Sequence, residues 1–478
     1  MKKLFFIFFI SVLKLSAQDF IWTKQIGSTS RDYGTAICSD NLGNCYAGGR
    51  GLNSAMVYKY DYFGTQIWYK GLGFGMVNSI ESDNQGFIYV STSSPSTFSK
   101  ISFDGDLIWT KNITAGSIKT ICFQNHNNIF ISGDGIAFAK YDSSGNEIFT
   151  IPSSVYTNSI DIDLNGNIYT TGYFSGTRNF GNFTLTALGS QDIFIAKYDS
   201  LGDCLWAQKA GGNFDFGSII RDNAYALTYD KQNNIYVTGT VVSNFYFGNQ
   251  TFDALGMNMF LAKIDTSGNL IWLKIGNGLD AEGKCIAIDN YGDILVGVNS
   301  VPSLSFDQNV LTGWGNYDAF IVKFDADGTY KMGLAAGGAT WNEFVNGITI
   351  DNAGNVFATG TFFDGANFGN QTFTSIGDQD VFVSRIDLQT GLKENTSSHL
   401  GVNIYPNPHV GKVNVKVNDI NNLKELSISD FSGKVIFEQN SFHSSIIEIT
   451  NIPAGMYFLS LKTFDNQMEN FKIIGVNY

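Results

Sequence analysis

The sequence predicts an all-β protein, a seven-bladed β-propeller closed by its N-terminal strand and followed by a small C-terminal β-sandwich. Three observations predict this fold. First, the 478 residues include 52 glycines, only 6 prolines and 14% aromatic residues, which suits many short strands joined by glycine turns. Second, two hairpin patterns recur along the chain. Third, residues 20–27 look like the last strand of a repeat with no repeat in front of them.

The first hairpin is an apolar strand, a tight Asp/Asn/Gly turn and a second strand, as in residues 80–90 and 160–170. Glycine and asparagine suit such turns because they tolerate positive φ. Seven copies predict seven repeats, and their turns fall at Gly43, Gly86, Asn127, Gly166, Asn233, Gly292 and Gly354.

The second hairpin reads Ala-Lys-Tyr-Asp-x-x-Gly-x-x-x-Trp in its fullest form. Two hairpins per repeat give a four-stranded sheet, the unit of a propeller blade. We expect the aromatic residue of each fourth strand to pack between adjacent blades. The turn glycines are Gly64, Gly105, Gly145, Gly202, Gly268 and Gly328, and four residues beyond them stand Trp68, Trp109, Phe149, Trp206, Trp272 and Met332.

The seventh repeat lacks a fourth strand with its tryptophan. Its third strand is predicted at residues 381–387. Residues 20–27 contain Ile-Trp-Thr-Lys, which returns unchanged at 108–111 in a fourth strand. We therefore predict that residues 20–27 pair antiparallel with 381–387, with Trp22 in the missing position. Such pairing would close the ring and cover exposed sheet edges.

Repeats four to seven carry an insertion between their second and third strands. Each insertion reads as a small hairpin, with Gly-Asn at the turn in Phe-Gly-Asn-Gln-Thr-Phe at 247–252 and 368–373 and in the relative at 180–185; the copy at 306–311 is degenerate. We expect a raised wall over blades four to seven and a low side over blades one to three, and a ligand at that notch.

These repeats resemble the seven-bladed beta-propeller repeat family of exported bacterial proteins. The resemblance rests on Asp-x-x-Gly-Asn-Ile-Tyr-x-Thr-Gly at 163–172, Phe-Ile-Ala-Lys-Tyr-Asp at 194–199 and the Phe-Gly-Asn-Gln-Thr-Phe insertion. It covers roughly residues 20–392, and it implies a fold and little about activity.

The two ends of the chain predict export. Residues 1–17 have the basic start and short apolar run of a signal peptide, and the run is too short to cross a bilayer core of ~30 Å. Residues 18–392 are the predicted propeller, 393–400 a polar linker, and 401–478 a separate domain of short alternating strands.

The C-terminal domain resembles a type A sorting domain of the type IX secretion system. The resemblance implies that the type IX machinery is a partner and that the protein is secreted or attached to the outer-membrane surface. The other interpretation is a small interaction domain. The motif residues, in their expected order, are Tyr405, Pro406, Asn407, Pro408, Gly433, Lys434, Gly455 and Tyr457.

The charge of the chain limits the classes of binding partner that we expect. The net charge of −13 disfavours nucleic acids and anionic lipids as partners.

Among the five cysteines, Cys38 and Cys45 flank one hairpin turn. A local disulfide and two reduced, half-buried cysteines are both open interpretations of this pair. Cys122, Cys204 and Cys285 read as core residues. No spacing resembles a metal site, and we predict neither metal nor cofactor.

Acidic residues recur in the loops that would lead from one blade to the next. They could form a ring near the channel mouth that binds a cation or a sugar, or they could cap turns and pair locally. They are Asp32, Asp222, Asp280, Glu282 and Glu343. Separately, Asp161-x-Asp163-x-Asn165-Gly166 resembles the start of a calcium loop, but Gly172 stands where the last acidic ligand belongs.

We predict no catalytic residues, because only His126 of the four histidines lies in a blade. The leading interpretation is a monomeric, non-enzymatic binding or adhesion module with a glycan or protein ligand. The alternatives are a polysaccharide-acting hydrolase or lyase, since acids are plentiful, and a structural surface component.

Overall fold

The structure is a computed structural model that describes residues 19–114, 116–212, 222–242, 244–254, 256–388, 400, 402–405, 411–430, 434–453, 455–464 and 468–475. The predicted signal peptide and most of the predicted linker lie outside these residues. One compact unit covers Phe20–Ile386, and another includes Asp387–Tyr478. The described part is all-β, with one short 3-10 turn at Ile420–Asn422, and it contains no helix long and apolar enough to cross a membrane.

The first unit is built from antiparallel sheets whose strands follow one another in the chain. Repeats one to seven correspond to β2–β5, β6–β9, β10–β12, β12–β17, β18–β23, β23–β27, and β28–β30 with β1. The strands are β1 (Asp19–Ile26), β2 (Tyr33–Ser39), β3 (Cys45–Gly51), β4 (Ser54–Tyr60), β5 (Gln66–Phe74), β6 (Met76–Ser82), β7 (Phe87–Ser93), β8 (Thr97–Ser102), β9 (Leu107–Asn112), β10 (Ser117–Asn125), β11 (Asn128–Tyr141), β12 (Glu147–Ile162), β13 (Ile168–Phe174), β14 (Thr177–Phe180), β15 (Phe183–Thr186), β16 (Asp192–Tyr198), β17 (Cys204–Gly211), β18 (Asn223–Tyr229), β19 (Asn234–Val242), β20 (Phe245–Phe247), β21 (Gln250–Phe252), β22 (Met257–Asp265), β23 (Leu270–Ile288), β24 (Ile294–Phe306), β25 (Asn309–Thr312), β26 (Asp318–Phe324), β27 (Tyr330–Gly337), β28 (Glu343–Ile350), β29 (Val356–Phe368) and β30 (Gln371–Asp387).

The predicted turns are present, and an aspartate organises each of the Asp-x-x-Gly type. In the first, Asp40 Oδ1 accepts the N–H groups of Leu42 at 2.9 Å and Asn44 at 3.0 Å. Gly43 has φ +80°, where a side chain would be strained. The aspartate thus satisfies backbone donors that the tight turn leaves unpaired, which explains why the Asp and Gly recur together.

β1 lies beside β30, which is the pairing that the sequence predicts for residues 20–27. Thr23 Oγ1 is 2.9 Å from Ser384 Oγ, and Gln25 Nε2 donates to Asp380 Oδ2 at 2.6 Å. Trp22 is buried on the opposite side of the strand, in a cluster that includes Val383.

The tryptophans of the fourth strands contact the second hairpin turn of the following repeat, as predicted. Trp68 Nε1–H donates to the Phe103 carbonyl at 2.9 Å, and Lys59 Nζ donates to the same oxygen at 2.8 Å. Trp22 makes this contact too, donating to the Tyr62 carbonyl of repeat one at 3.0 Å. The same two-donor arrangement is made by Trp109 and Lys100 to Ser143, Trp206 and Lys197 to Thr266, and Trp272 and Lys263 to Ala326.

The first strand of each repeat contains a one-residue bulge that the sequence does not predict. The bulged asparagines reach the first strand of the following repeat: Asn78 donates to the Ile118 carbonyl at 2.7 Å and Asn158 to that of Ala224 at 2.9 Å. Asn346, in repeat seven, donates to the Gly34 carbonyl in repeat one at 2.8 Å. These first strands pack in the order β2, β6, β10, β12, β18, β23 and β28, and β28 packs against β2.

The predicted insertion hairpins are present, and those of repeats five and seven pair with the preceding repeat. β20, in repeat five, pairs with β17 of repeat four through Ala210 and Phe247. β29, in repeat seven, pairs with β27 of repeat six through Ala336 and Phe368. These hairpins therefore extend the ladder from one repeat to the next, in addition to the tryptophan contacts.

The second unit consists of two antiparallel sheets with one shared apolar core, as expected for the predicted sandwich. One sheet has the order β31-β32-β35 and the other β34-β33-β36-β37. Alternating residues such as Val413, Val415, Ile428, Leu459 and Leu461 fill the core. The strands are β31 (Val402–Tyr405), β32 (Lys412–Val417), β33 (Leu423–Asp430), β34 (Val435–Gln439), β35 (Ile446–Thr450), β36 (Gly455–Thr463) and β37 (Met468–Gly475).

A disulfide between Cys38 and Cys45, one of the two open alternatives, is excluded. Cys45 lies opposite Ser39, and Cys38 lies opposite Tyr46. Because side chains alternate along a strand, the two sulfurs point to opposite faces of the sheet and into different core clusters. Both are buried free thiols.

We expect the thiols of the native protein to resist chemical modification. Burial raises the pKa of Cys204 to about 11 and of Cys285 to about 12, and it raises the pKa of Cys38, Cys45 and Cys122 as well. Labelling with Ellman's reagent at pH 8 should be slow until denaturant is added. Rapid stoichiometric labelling of the native protein would contradict this burial.

Candidate functional site

Three of the five predicted acidic site residues are buried and hold loop backbone in place. Asp222 accepts the N–H groups of Gly212 and Val242, both at 2.8 Å. Asp32 accepts Ser28 Oγ–H at 3.0 Å and the N–H of Leu52 at 3.3 Å.

Glu343 Oε2 accepts the N–H of Gly338 at 2.8 Å. The exposed fractions of Asp32, Asp222 and Glu343 are 1%, 4% and 0%. These carboxylates cap turns of the loops between repeats, the second of the two interpretations that the sequence allows.

The three buried acids differ from the other two in their distance along the chain from the aspartate of the next turn. Asp32, Asp222 and Glu343 each stand eight residues before the aspartate of the first turn, at 40, 230 and 351. In repeat six the residue eight before Asp289 is Ala281, which is buried. Asp280 and Glu282 flank it, so neither occupies the buried position.

Asp280 and Glu282 lie together beside Tyr317. Asp280 is exposed, with φ +52°, and its Oδ2 accepts the Tyr317 hydroxyl at 3.3 Å. Glu282 is half-buried and accepts the Tyr225 hydroxyl at 3.2 Å, with Lys284 Nζ at 3.5 Å. Of the five predicted acids, these two form one accessible group.

The tyrosine hydroxyls at this group are donors at neutral pH. Burial, and the charges of Asp280 and Glu282, raise the pKa of Tyr317 to about 12. Burial and Glu282 raise the pKa of Tyr225 further still. Lys284 Nζ lies 3.7 Å from the Tyr225 ring centroid, so a cation–π contact fixes the same ring.

Two exposed tryptophans stand on the loops next to this group. Trp314 is 51% exposed and Trp341 52%. Their loops touch, as the close approach of Gly315 to Gly338 shows: a Cβ atom on Gly315 would lie 2.3 Å from the Gly338 carbonyl oxygen. The Tyr317 ring packs on Phe344, with centroids 5.5 Å apart. We call Asp280, Glu282, Trp314, Tyr317, Trp341 and Phe344 the acid–aromatic surface.

Sequence reasoning missed the aromatic half of this surface, although a signal was present. The chain has seven tryptophans, and five of them occupy the docking position of a fourth strand. Trp314 and Trp341 are the two tryptophans that do not occupy this docking position. Exposed tryptophan has a large contact area and is enriched at binding sites.

The other candidate sites are occupied by their own structural contacts. Asp163 Oδ1 accepts the N–H groups of Asn165 and Asn167, both at 2.9 Å, as other turn aspartates do. Asp161 Oδ2 accepts the N–H of Tyr229 at 2.8 Å. Within the described residues, no three side chains of metal-ligand type come together.

A small pocket, partly open to solvent, lies where β1 and β30 meet β3 and β4. Its polar side chains are Asp32, Arg50 and Tyr58. Asp32 is already satisfied by loop backbone, and the remaining lining is apolar or glycine backbone, such as Ile26 and Val381. This pocket therefore offers fewer free polar groups than the acid–aromatic surface.

The sorting-motif residues lie in the second unit. Tyr457 is buried opposite Asp430 on the neighbouring strand. Gly455 has φ +149°, and a Cβ atom there would lie 3.3 Å from the Tyr457 hydroxyl oxygen. Tyr405 and Lys434 are also described, whereas Pro406, Asn407, Pro408 and Gly433 lie outside the described residues.

Residues 403–475 match the family model of the secretion system C-terminal sorting domain. The C-terminal segment is a type IX sorting domain. The resemblance carried by its motifs is thereby confirmed, and the sorting domain implies export and an interaction with the type IX machinery.

The chain also has more distant likenesses. The uncharacterized WD repeat-containing protein L264 of Acanthamoeba polyphaga mimivirus is 22% identical over 385 residues, 65% of this chain. The chain spans 26% of the length of that protein. The WD40 beta propeller domain of Doa1 aligns with 78% of this chain and 98% of its own, at 10% identity and a TM-score of 0.49.

Proposed function

We propose that Phe20–Ile386 is a seven-bladed propeller, closed by β1, that acts outside the cell as a binding or adhesion module. Closure is supported by two contacts that repeat seven makes to repeat one. Trp22 donates to Tyr62, as the internal tryptophans donate to their neighbours, and Asn346 donates to Gly34, as Asn78 donates to Ile118.

The ligand that the acid–aromatic surface fits best is a glycan. The observation that carries this proposal is the pair of half-exposed indoles, Trp314 and Trp341, on touching loops next to the accessible carboxylates of Asp280 and Glu282. An indole face offers apolar area to the C–H face of a sugar ring, and a carboxylate accepts strong hydrogen bonds from sugar hydroxyls.

A polysaccharide-acting enzyme is the second candidate, because two carboxylates converge with aromatic residues. Glycoside hydrolysis uses such a pair, one as acid and the other as base or nucleophile. Glu282, however, is engaged by Lys284 and Tyr225. Release of reducing ends from a bound polysaccharide would favour the enzyme over the binding module. A purely structural surface component would bind no ligand here.

A glycan array with the mature, full-length protein tests the proposal. Trp314→Ala and Trp341→Ala should each weaken binding by about 2 kcal/mol, roughly 30-fold, since each removes a central contact. Tyr291→Ala is the matched control, because Tyr291 is a 77% exposed aromatic residue in an Asp-x-x-Gly turn outside the surface. Equal binding by all variants would rule out this surface, and no binding by the wild type would point to a protein ligand.

We also propose that the protein is a monomer and that it is secreted or held at the outer-membrane surface after export. The five acids predicted from the sequence have two different roles in this proposal. Asp280 and Glu282 contact the ligand, and the buried Asp32, Asp222 and Glu343 hold the loops in place.

A further inference from the structure

Two buried carboxyl groups, Asp318 and Glu343, lie beneath the loops that carry the exposed tryptophans. Asp318 Oδ2 accepts the N–H groups of Trp314 at 2.9 Å and Gly315 at 3.3 Å. Glu343 Oε2 accepts the N–H of Gly338, at the start of the loop that leads to Trp341. Each carboxyl group therefore holds one tryptophan-bearing loop.

The two loops are also joined directly. The N–H of Glu343 donates to the Tyr317 carbonyl at 2.8 Å, and the Asn342 side chain accepts the N–H of Tyr317 at 3.4 Å. A change in the position of either carboxyl group is thus passed to both loops and to the Tyr317 ring of the acid–aromatic surface.

Each carboxyl group has one oxygen without a hydrogen bond. Asp318 Oδ1 and Glu343 Oε1 are buried and unpartnered among the described residues, and both side chains are 0% exposed. A buried anionic oxygen that lacks a donor is unfavourable, and two neighbouring ones are more so. A proton retained on the pair reduces this cost because it removes one of the two charges.

The electrostatic surroundings favour that proton. Burial is the largest cause that raises the pKa of Glu343 to about 8, and the charge of Asp318 adds to it; the N–H groups of Gly338 and Phe363 oppose it. Burial raises the pKa of Asp318 to about 6, against the N–H groups of Trp314 and Gly315. Among the described residues, no cation is a cause of either shift.

Among the described residues, titratable groups of the acid–aromatic surface also lie near the pair. They include Tyr317, next to Asp318 in the chain, and the carboxylates of Asp280 and Glu282, which act on Tyr317. Neither carboxylate can supply a compensating positive charge.

We propose that Asp318 and Glu343 are positioning residues for the acid–aromatic surface, and that they hold Trp314 and Trp341 in place only while the pair retains a proton. The part of this inference that concerns ligand affinity rests on the proposed function. Because both pKa values are raised on folding, the stabilisation is full below the unfolded-state values, declines as pH rises above them, and is lost when the last proton leaves the pair near pH 8.

Tryptophan fluorescence of the mature, full-length protein between pH 5 and 9 tests the inference without any ligand. The wild type should show a transition centred near pH 8, with better acrylamide quenching on the alkaline side. The Trp314→Phe/Trp341→Phe double variant should lack it, which assigns the signal to these two residues.

Glu343→Gln distinguishes proton retention from a merely structural role. Its amide can still accept from Gly338 and carries a permanent donor for Asp318, so the transition should disappear while circular dichroism stays native. Asp318→Asn gives the reciprocal test if Glu343→Gln does not fold. A transition unchanged in a folded variant, or absent from the wild type, would overturn the inference.

Binding of the best glycan from the array, measured at pH 5.5 and 9.5, separates this inference from the proposed function. We expect at least 10-fold weaker binding at pH 9.5 in the wild type and less than 3-fold in Glu343→Gln, from the release of both loops. A fluorescence transition without glycan binding would uphold the positioning role and refute the glycan proposal. Glycan binding with no fluorescence transition would uphold the glycan proposal and refute the positioning role.

Discussion

Trp22→Ala should destabilise the first unit by about 3–5 kcal/mol, the usual loss for a large aromatic side chain in a core. Trp22 is 8% exposed, packs 6.1 Å from the rings of both Tyr60 and Phe357, and donates to the Tyr62 carbonyl. The truncation removes contacts to repeats one and seven at once. It also leaves an apolar cavity where the two chain ends of the unit meet.

Urea denaturation followed by circular dichroism measures this loss. Trp68→Ala is the internal comparison, because Trp68 makes the same contact between repeats one and two. Trp314→Ala is the exposed control and should change the free energy of unfolding by less than about 0.5 kcal/mol. If Trp22→Ala and Trp314→Ala unfold at the same urea concentration, the N-terminal strand does not stabilise the unit.

Gly172→Ala should cost about 3 kcal/mol, the upper end of the usual range for overpacking. A Cβ atom on Gly172 would lie 1.9 Å from the Tyr156 carbonyl oxygen. That oxygen belongs to backbone next to the bulge between Thr157 and Ser159, so it cannot move away without displacing the first strand.

Gly365→Ala is the matched control for this substitution. Gly365 also lies in a strand, and nothing approaches within 4 Å of its added Cβ atom. It should be neutral or slightly stabilising, because alanine lowers the entropy of the unfolded chain. Comparison of the two melting temperatures checks the prediction, and equal temperatures would mean that the bulge does not require glycine.

Gly172 illustrates what the sequence could and could not predict. The Thr-Gly that ends the repeat motif was visible as a pattern, but its cause lies in the partner strand, where the bulge brings a carbonyl against the glycine. The turns could be predicted because their chemistry is local: Asp40, for example, satisfies N–H groups two and four residues ahead. The docking of Trp22 followed from counting the tryptophans.

The candidate site was only half predictable for a related reason. Asp32 and Asp280 were both predicted as site residues from their position in the loops. Whether each is buried or exposed depends on which donors face its carboxylate in the folded protein. The pairing of Cys45 with Ser39 is likewise a matter of register, and a one-residue difference puts the two sulfurs on opposite faces. Trp314 and Trp341 are 27 residues apart and become neighbours only because their loops touch.

The most direct test of the closed ring is a disulfide between β1 and β30. Thr23 Oγ1 and Ser384 Oγ are 2.9 Å apart, so Thr23→Cys/Ser384→Cys should form an intramolecular disulfide under mild oxidation. Peptide mass spectrometry should then recover the cross-linked pair from native protein. In Thr23→Cys/Val383→Cys, the second cysteine would lie on the Trp22 face of β30, so this mismatched control should not cross-link. A folded Thr23→Cys/Ser384→Cys protein without the disulfide would contradict the closed ring.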